Sequence, residues 1–482
     1  MAIRVVEKEL NSSLLLERVE RKDFKQVFAA IVSDTEDFFS SAFEESPVHF
    51  KASTPSNGDC VRRLSAVFSR EKLLEICKSN ELVVDTNMQA LRYDGRTREM
   101  KAFRRNTISP SELESAFKAG YSCQFFQPQR FGDELHVLNA GFEYVFGTLA
   151  GASAYLTPAR AQGLAPHHDD VEVFILQTEG SKLWRLWAGP LSLPETYSAD
   201  IPRQELPDNH AEVLLQCGDV LYLPRGTIHE AVSQEGFSTH VTISVYQHYN
   251  YRRLLSQVLE KTLDACFQTN LELRKGLPTR LSHALGSFIG AIDANDNRRK
   301  QREDILSTIQ NLAAKVVSTI DLDLVDSAVD EMVGDFSANR LPPPVSSLEE
   351  APIIGGKKRK RLAELTIESK VALFDPNCSH YEIRDMEGVK TLVMVHNKSN
   401  NRLRHMCHPT DDDESENENL PVTHFMPRHF LPIIKELFES FSEEGTIVAS
   451  LLKNVSKHRF NEEDVLRLLK DMNRHGFLVV LG

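Results

Sequence analysis

An α+β chain organised around a β-barrel or double-sheeted jelly roll is the fold class this sequence predicts, and three observations predict it. Between Phe142 and Gln247 short apolar runs of strand character alternate with turn residues, the pattern of an antiparallel barrel. On either side of that region the apolar spacing becomes that of helices. The last run, His240-Val241-Thr242-Ile243-Ser244-Val245-Tyr246, alternates strictly, with His240, Thr242 and Ser244 on one face and Val241, Ile243 and Val245 on the other. An all-apolar interior has no use for the threonine and serine; a barrel that encloses a ligand does.

The elements follow in order. From Met1 to about Asn80 the pattern is helical, with Phe24, Val27, Phe28 and Ile31 at helix spacing and a second amphipathic stretch at Glu71 to Ile76, a collar packed on the barrel. Leu82 to Arg92 and Tyr121 to Phe126 read as strands around a helix opened by Pro110-Ser111-Glu112. Within the barrel the strands are Tyr155 to Thr157, Val171 to Gln177, Leu183 to Trp187, His210 to Gln216, Val220 to Leu223 and the closing run. This catalytic section spans residues 1–250. Two helical stripes follow, one from Leu254 to Phe267 and a longer one from Ile305 to Ile320, until Leu341-Pro342-Pro343-Pro344 stops them. Residues 251–345 are expected to pair with a second copy of the chain, giving a homodimer. Residues 346–366 form a basic linker, whose Lys357-Lys358-Arg359-Lys360-Arg361 block reads as a nuclear-localisation signal or nucleic-acid contact, or else as a solvated charge run. Residues 367–482 hold strands at Tyr381 to Arg384 and Val389 to His396, an acidic loop at Asp411 to Glu414, and helices at Arg428 to Phe441, Thr446 to Leu452 and Glu462 to Arg474. Asn461 caps the last helix, Gly476 ends it and Phe477 to Leu481 closes as a strand. The order resembles a winged-helix domain, with nucleic acid or protein as its partner.

The chemistry concentrates at Pro166-His167-His168-Asp169-Asp170, just ahead of the run from Val171 to Gln177. Side chains two apart on a strand share a face, so an imidazole and a carboxylate at that spacing enter one space. The doublets allow two registers. A third ligand can come from His229, which follows the strand and turn Tyr222-Leu223-Pro224-Arg225-Gly226. Two histidines and a carboxylate on one side of a metal leave the other side open for a co-substrate and dioxygen, the facial arrangement of non-haem Fe(II) oxygenases. The triplets His210-x-Glu212 and His380-x-Glu382 read as surface coincidences. The first triplet differs in its company: Lys182, after the Gly180 turn, opens the next strand and can bring an ammonium close to the metal, where it would hold a carboxylate that the metal does not reach. The bland reading of Lys182 is a surface lysine on a hairpin.

The totals bound the remaining choices. A chain of 482 residues suggests two or three domains, and 41% hydrophobic with 26% charged residues is the composition of a soluble globular protein. No apolar run reaches the roughly 20 residues of a membrane span, and the N-terminus lacks a signal-peptide core, so no membrane partner is expected and the protein should stay in the cytosol or nucleus. Seven cysteines without a Cys-x-x-Cys pair read as reduced core thiols. A net charge of −13 disfavours a surface that tracks phosphates throughout.

The strings Phe126-Gln127-Pro128-Gln129-Arg130-Phe131, Gln162 to Gln177, Leu223-Pro224-Arg225-Gly226-Thr227-Ile228-His229 and Thr239 to Ser244 resemble the ribosomal oxygenases, JmjC-type 2-oxoglutarate dioxygenases with a cupin-like double-stranded β-helix. The resemblance covers nearly the whole chain and is densest between Gln124 and Gln247. It implies the register in which His167, Asp169 and His229 bind Fe(II), with 2-oxoglutarate and O2 as co-substrates. It implies that Lys182 pairs with the distal carboxylate of 2-oxoglutarate, that Tyr155, Thr242 and Ser244 line its pocket, and that Gln124, Gln127 and Tyr197 meet a peptide substrate. The chain departs from the family at Ser153, where an asparagine is usual. The activity implied is hydroxylation of a histidine in a large-subunit ribosomal protein, with a role in ribosome biogenesis in the nucleus and nucleolus. The alternatives are removal of methyl groups from histone lysines in chromatin and, in another class, a non-catalytic nuclear scaffold.

Overall fold

The computed structural model describes residues 3–53, 64–247, 249–292, 296–344, 365–406, 422–442, 445–455 and 460–481. The basic block at Lys357 to Arg361, most of the linker and the acidic run at Asp411 to Glu414 lie outside the described residues. The first section contributes β1 (Val6–Leu10), β2 (Val48–Ala52), β3 (Met88–Tyr93), β4 (Arg98–Met100), β5 (Ser122–Phe126), β6 (Ala150–Thr157), β7 (Val171–Glu179), β8 (Ser181–Trp187), β9 (Ala211–Gln216), β10 (Val220–Leu223), β11 (Ile228–Ser233) and β12 (Ser238–Tyr246). A larger sheet runs β1-β2-β10-β7-β12-β6-β5-β3-β4, and a smaller one runs β11-β8-β9. Apart from the parallel β1–β2 pair, the ladders are antiparallel. This is the expected double-sheeted barrel.

Strand parity divides its side chains into two cores. Val171, Val173 and Ile175 of β7 and Leu221 and Leu223 of β10 meet Trp184 and Leu186 of β8 and Val213 and Leu215 of β9 between the sheets. The alternate residues, among them Phe174, Tyr222, Val241, Ile243 and Val245, face a second core. That outer core is closed by helices α1 (Ser12–Glu20), α2 (Phe24–Val32), α3 (Thr35–Ser41), α4 (Arg70–Ser79), α5 (Pro110–Lys118) and α6 (Asp133–Phe146). Phe28 of α2 packs edge-on against Phe38, Phe142 and Phe174, which ties the collar to β7. Gly141 of α6 is required by the crossing with α2, since a Cβ there would lie 2.1 Å from Val27 Cγ2.

One expectation needs correction. The stretch before Asn80 is not helical throughout, because β1 and β2 extend the larger sheet at one edge. Both strands are short, and Glu7, Lys8 and Glu9 in β1 conceal the alternation that marks a strand. His380, expected on the surface, is buried on the strand that starts at Ser379, with Nε2 3.8 Å from Glu382.

Residues 248–335 form a separate helical unit, with α7 (Tyr251–Thr269), α8 (Asp296–Val317) and the larger part of α9 (Leu322–Asn339). Val258, Cys266 and Val316 of the two stripes are buried, whereas Leu255, Leu263, Phe267, Leu306 and Ile309 are exposed.

The C-terminal residues belong to the same compact unit as the barrel. They supply β13 (Lys370–Leu373), β14 (Ser379–Met386), β15 (Val389–His396), β16 (Val422–Pro427), β17 (Thr446–Ile447) and β18 (Leu478–Leu481), with α10 (Leu431–Glu439), α11 (Val448–Val455) and α12 (Glu462–Arg474). Two three-stranded sheets, β17-β13-β18 and β14-β15-β16, share one apolar core with the helices. Asn461 caps α12 as expected, accepting from Asp464 N at 2.7 Å, and Gly476 takes φ +82° just beyond its end. The joint with the barrel is polar and buried. His405 donates from Nε2 to Glu143 Oε1 at 2.8 Å while its Nδ1 accepts from Gln129 Nε2 at 2.9 Å, and the two side chains of the pair are 1% and 0% exposed. Glu143 Oε2 also accepts from Leu341 N at 2.8 Å. Removing one partner of a buried pair strands the other charge, so His405→Ala should cost about 3–5 kcal/mol of stability. The check is the midpoint of denaturant unfolding, and a midpoint within error of wild type would contradict the assignment.

Candidate active site

Two strand ends and a backbone bridge assemble the site. His167 and His229 exchange both backbone bonds, His167 N to His229 O at 3.2 Å and His229 N to His167 O at 2.8 Å, so the segment before β7 is zipped to the first turn of β11. Gly226 N donates to Asp169 O at 2.9 Å, which fixes the Pro224–Thr227 turn against the same segment. Gly226 takes φ +86°, and a Cβ there would lie 2.6 Å from Pro194 Cδ, so the turn demands glycine. Each imidazole donates from Nδ1 to a carbonyl two residues earlier, His167 to Ala165 O at 2.8 Å and His229 to Thr227 O at 3.0 Å. That tautomer leaves both Nε2 atoms with a lone pair, the orienting contact that metal-bound histidines require. The Nε2 atoms lie 3.9 and 3.7 Å from the two oxygens of Asp169, and one ligand atom from each residue falls within 4.8 Å of the others. Burial, and then the neighbouring His167, push His229 down to about 4, so it is neutral and ready to bind a cation at neutral pH. His168 and Asp170 stay out of the cluster, and His168 instead takes Ser198 Oγ on its backbone N–H at 2.9 Å.

The same cavity holds Lys182. Parity places Lys182 on the inner face of β8 with Trp184 and Leu186, and it is only 5% exposed. Its Nζ lies 3.2 Å from Thr157 Oγ1, and among the described residues no carboxylate pairs with it. Burial without a counter-charge lowers its pKa to about 7. Three more polar atoms in this cavity, Ser122 Oγ, Trp184 Nε1 and His240 Nδ1, are buried without a hydrogen-bond partner among the described residues. Tyr155 stacks on His240 with centroids 4.9 Å apart and accepts from Gln124 Nε2 at 2.9 Å. A cavity with a metal-ligand triad in its wall, an unpaired ammonium and unsatisfied polar groups fits Fe(II) with a dicarboxylate co-substrate.

The remaining expected residues divide. Thr242 lines the cavity; Ser244 shares its face but lies farther along β12, opposite Gly151 and Val173, outside the lining. Gln127 also lies outside it, with φ +50° and Oε1 accepting from Gln129 Nε2 at 2.6 Å. Tyr197 is 73% exposed on the loop after β8, next to Ser198, whose N–H donates to His168 O at 3.0 Å. Ser153 pairs with Thr242 across β6 and β12. Trp184 and His240 were not expected as lining residues, although parity with Lys182 and Thr242 is a signal that points to both. Nothing in the sequence signals Glu230, a buried carboxylate bound by Arg203 and, at 3.3 Å, by Arg185, which pins the loop after β8.

Residues 124–254 match the family described as the JmjC domain. Over that stretch the chain is similar to JmjC domains. The match is accompanied by similarity over a longer stretch to proteins called bifunctional lysine-specific demethylase and histidyl-hydroxylase NO66. The protein of that name from Drosophila grimshawi is 31% identical over 354 residues, 71% of this chain and 47% of the relative. The one from Dictyostelium discoideum is 29% identical over 409 residues, 82% of this chain and 74% of the relative. The chain spans about half the length of the first of these relatives. A solved structure of Escherichia coli ribosomal oxygenase YcfD aligns over 93% of this chain and 98% of its own, at 13% identity and a TM-score of 0.41.

The state of Lys182 gives binding a pH dependence with a definite sign. The free ammonium loses its proton near pH 7, whereas a carboxylate beside it holds the proton on, so binding above that pH takes up a proton. Affinity for 2-oxoglutarate should fall up to about tenfold per pH unit above neutrality and level off below it. Lys182→Arg, always charged, should flatten the alkaline limb. Calorimetry in two buffers of different ionisation enthalpy checks this, and a buffer-independent heat at alkaline pH would contradict it.

Proposed function

We propose that this chain is an Fe(II)- and 2-oxoglutarate-dependent protein hydroxylase acting on a histidine side chain of a large-subunit ribosomal protein. The observation that carries the reading is the shared cavity: two Nε2 lone pairs and a carboxylate converge in it, and a buried ammonium without a counter-charge lines it. His167, Asp169 and His229 would hold the ion from one side, their rings fixed by the carbonyls of Ala165 and Thr227. Lys182 would anchor the distal carboxylate of 2-oxoglutarate, with Tyr155 and Thr242 along the chain of the acid and Ser244 beyond. Gln124, Gln127 and Tyr197 are the proposed contacts to the substrate peptide. When bound, the iron and its two co-substrates supply an oxidative decarboxylation that yields succinate and hydroxylates a nearby C–H bond. The apolar walls of Val173, Ile175 and Trp184 exclude water from that event.

Iron-dependent succinate formation should fall at least 100-fold in His167→Ala. With ribosomal-protein peptides the product should carry one added oxygen on histidine, detected by mass spectrometry. Turnover unaffected by His167→Ala removes the reading. The second reading, demethylation of histone lysines, is favoured by the double activity in the relatives' name; release of formaldehyde from methylated histone peptides, without histidine oxidation, selects it. A non-catalytic scaffold is disfavoured by Lys182, since a binding module has no reason to bury an ammonium unpaired.

The homodimer is also proposed, on the exposed apolar faces of α7 and α8 at Leu255, Phe267, Leu306 and Ile309. Leu306→Glu with Ile309→Glu should halve the mass measured by light scattering, and a monomeric wild type would end the proposal. The C-terminal region is proposed to be a winged-helix domain with a protein or nucleic-acid partner. The proposed location is the nucleus and nucleolus, in support of ribosome biogenesis; among the described residues no helix is long and apolar enough to cross a membrane.

A further inference from the structure

We infer that the C-terminal region carries a second metal site, for a divalent first-row transition ion such as zinc, built from His424, Asp471 and His475. His424 projects from β16, while Asp471 lies in the last turn of α12 with His475 four residues on, at the spacing that puts two helix side chains on one face. His424 Nε2 lies 3.2 Å from Asp471 Oδ2, His475 Nδ1 lies 3.7 Å from Asp471 Oδ1, and one ligand atom from each of the three falls within 4.8 Å of the others. Metal–nitrogen bonds of about 2.0–2.1 Å at tetrahedral angles put donor atoms roughly 3.3 Å apart, so small side-chain rotations suffice to close the site.

The elements that carry the ligands are held independently of any ion. β16 pairs with β15 along its length, Met394 opposite His424. The far end of α12 is clamped by His396 Nε2 on His475 O at 2.8 Å and by Lys398 Nζ on Gly476 O at 2.6 Å. The two imidazoles are stacked, centroids 4.6 Å apart and planes at 26°, beside a single carboxylate. The site also sits at the C-terminal end of a 13-residue helix, where the backbone dipole favours positive charge.

Two contacts compete with the ion. His475 Nδ1 lies 2.9 Å from Asp471 O, so a bound ion would either draw Nδ1 away from the carbonyl or use Nε2 of the same ring. Arg474 reaches to 3.8 Å of Asp471 Oδ1, but it is exposed and free to swing into water. With three protein ligands the fourth position is left to water, and His424 and Asp471 line a groove of the C-terminal surface that admits it. Bound there, the ion would fasten β16 to the end of α12.

The test uses the full chain stripped of metal, in a His167→Ala/His229→Ala background that silences the barrel triad. Titration with Zn2+ should show one equivalent bound, and binding should weaken at least 100-fold when His424→Ala and His475→Ala are added. Asp471→Asn, which keeps the shape of the side chain, serves as the second variant and should weaken binding at least tenfold without loss of the circular-dichroism signal. Absence of zinc uptake in the background protein, or uptake unchanged by Asp471→Asn, overturns the site. Because the barrel ligands are already removed, neither result bears on the oxygenase reading.

Discussion

The pair of backbone hydrogen bonds between His167 and His229 is what the rest of the site depends on. The two residues are distant in the chain, one in the segment before β7 and the other in β11, so the bridge both joins the two sheets at the mouth of the barrel and sets the separation of the two imidazoles. A barrel whose sheets drifted apart there would keep its cores and lose its chemistry. The arrangement is rigid because every participant is doubly held: each ring by its own backbone carbonyl, and Asp169 by the turn at Gly226, whose shape no other residue can adopt without strain.

Behind that bridge the molecule accepts an electrostatic cost. The ammonium of Lys182 is withdrawn from water with only the Thr157 hydroxyl beside it, and among the described residues the Trp184 indole N–H and the His240 ring nitrogen have no hydrogen-bond partner, contrary to the normal rule for buried polar groups. Such costs are tolerated where a ligand relieves them, and under the proposed function the relief would become binding energy directed at one end of a dicarboxylate. The barrel offsets the penalty with its two apolar layers and the aromatic cluster around Phe28.

Much of this was legible in the residues, for local reasons. Period-two alternation in β12 declared which face was polar, the His-x-Asp spacing announced two ligands, and Asn461 and Gly476 marked the ends of α12. What could not be read was whatever depends on partners far away in sequence. The Glu143–His405 pair spans 262 positions, and neither residue stands in a motif. β1 and β2 escaped because strands of five residues are too short to show an alternation, and the charges of β1 look like the surface of a helix. His240 and Trp184 were visible as members of a face, but only the folded cavity reveals that their nitrogens are unsatisfied.

The His405 joint has a further consequence for how the chain can be divided. Glu143 is a collar residue, yet the imidazole that hydrogen-bonds it is supplied from beyond the helical unit, and Arg402 on the same segment grips Asp133 at 2.6 Å. A fragment cut after the barrel would therefore carry an orphaned acid in its interior. The barrel and the C-terminal third are therefore expected to be inherited and exchanged together, unlike modules strung on an indifferent tether.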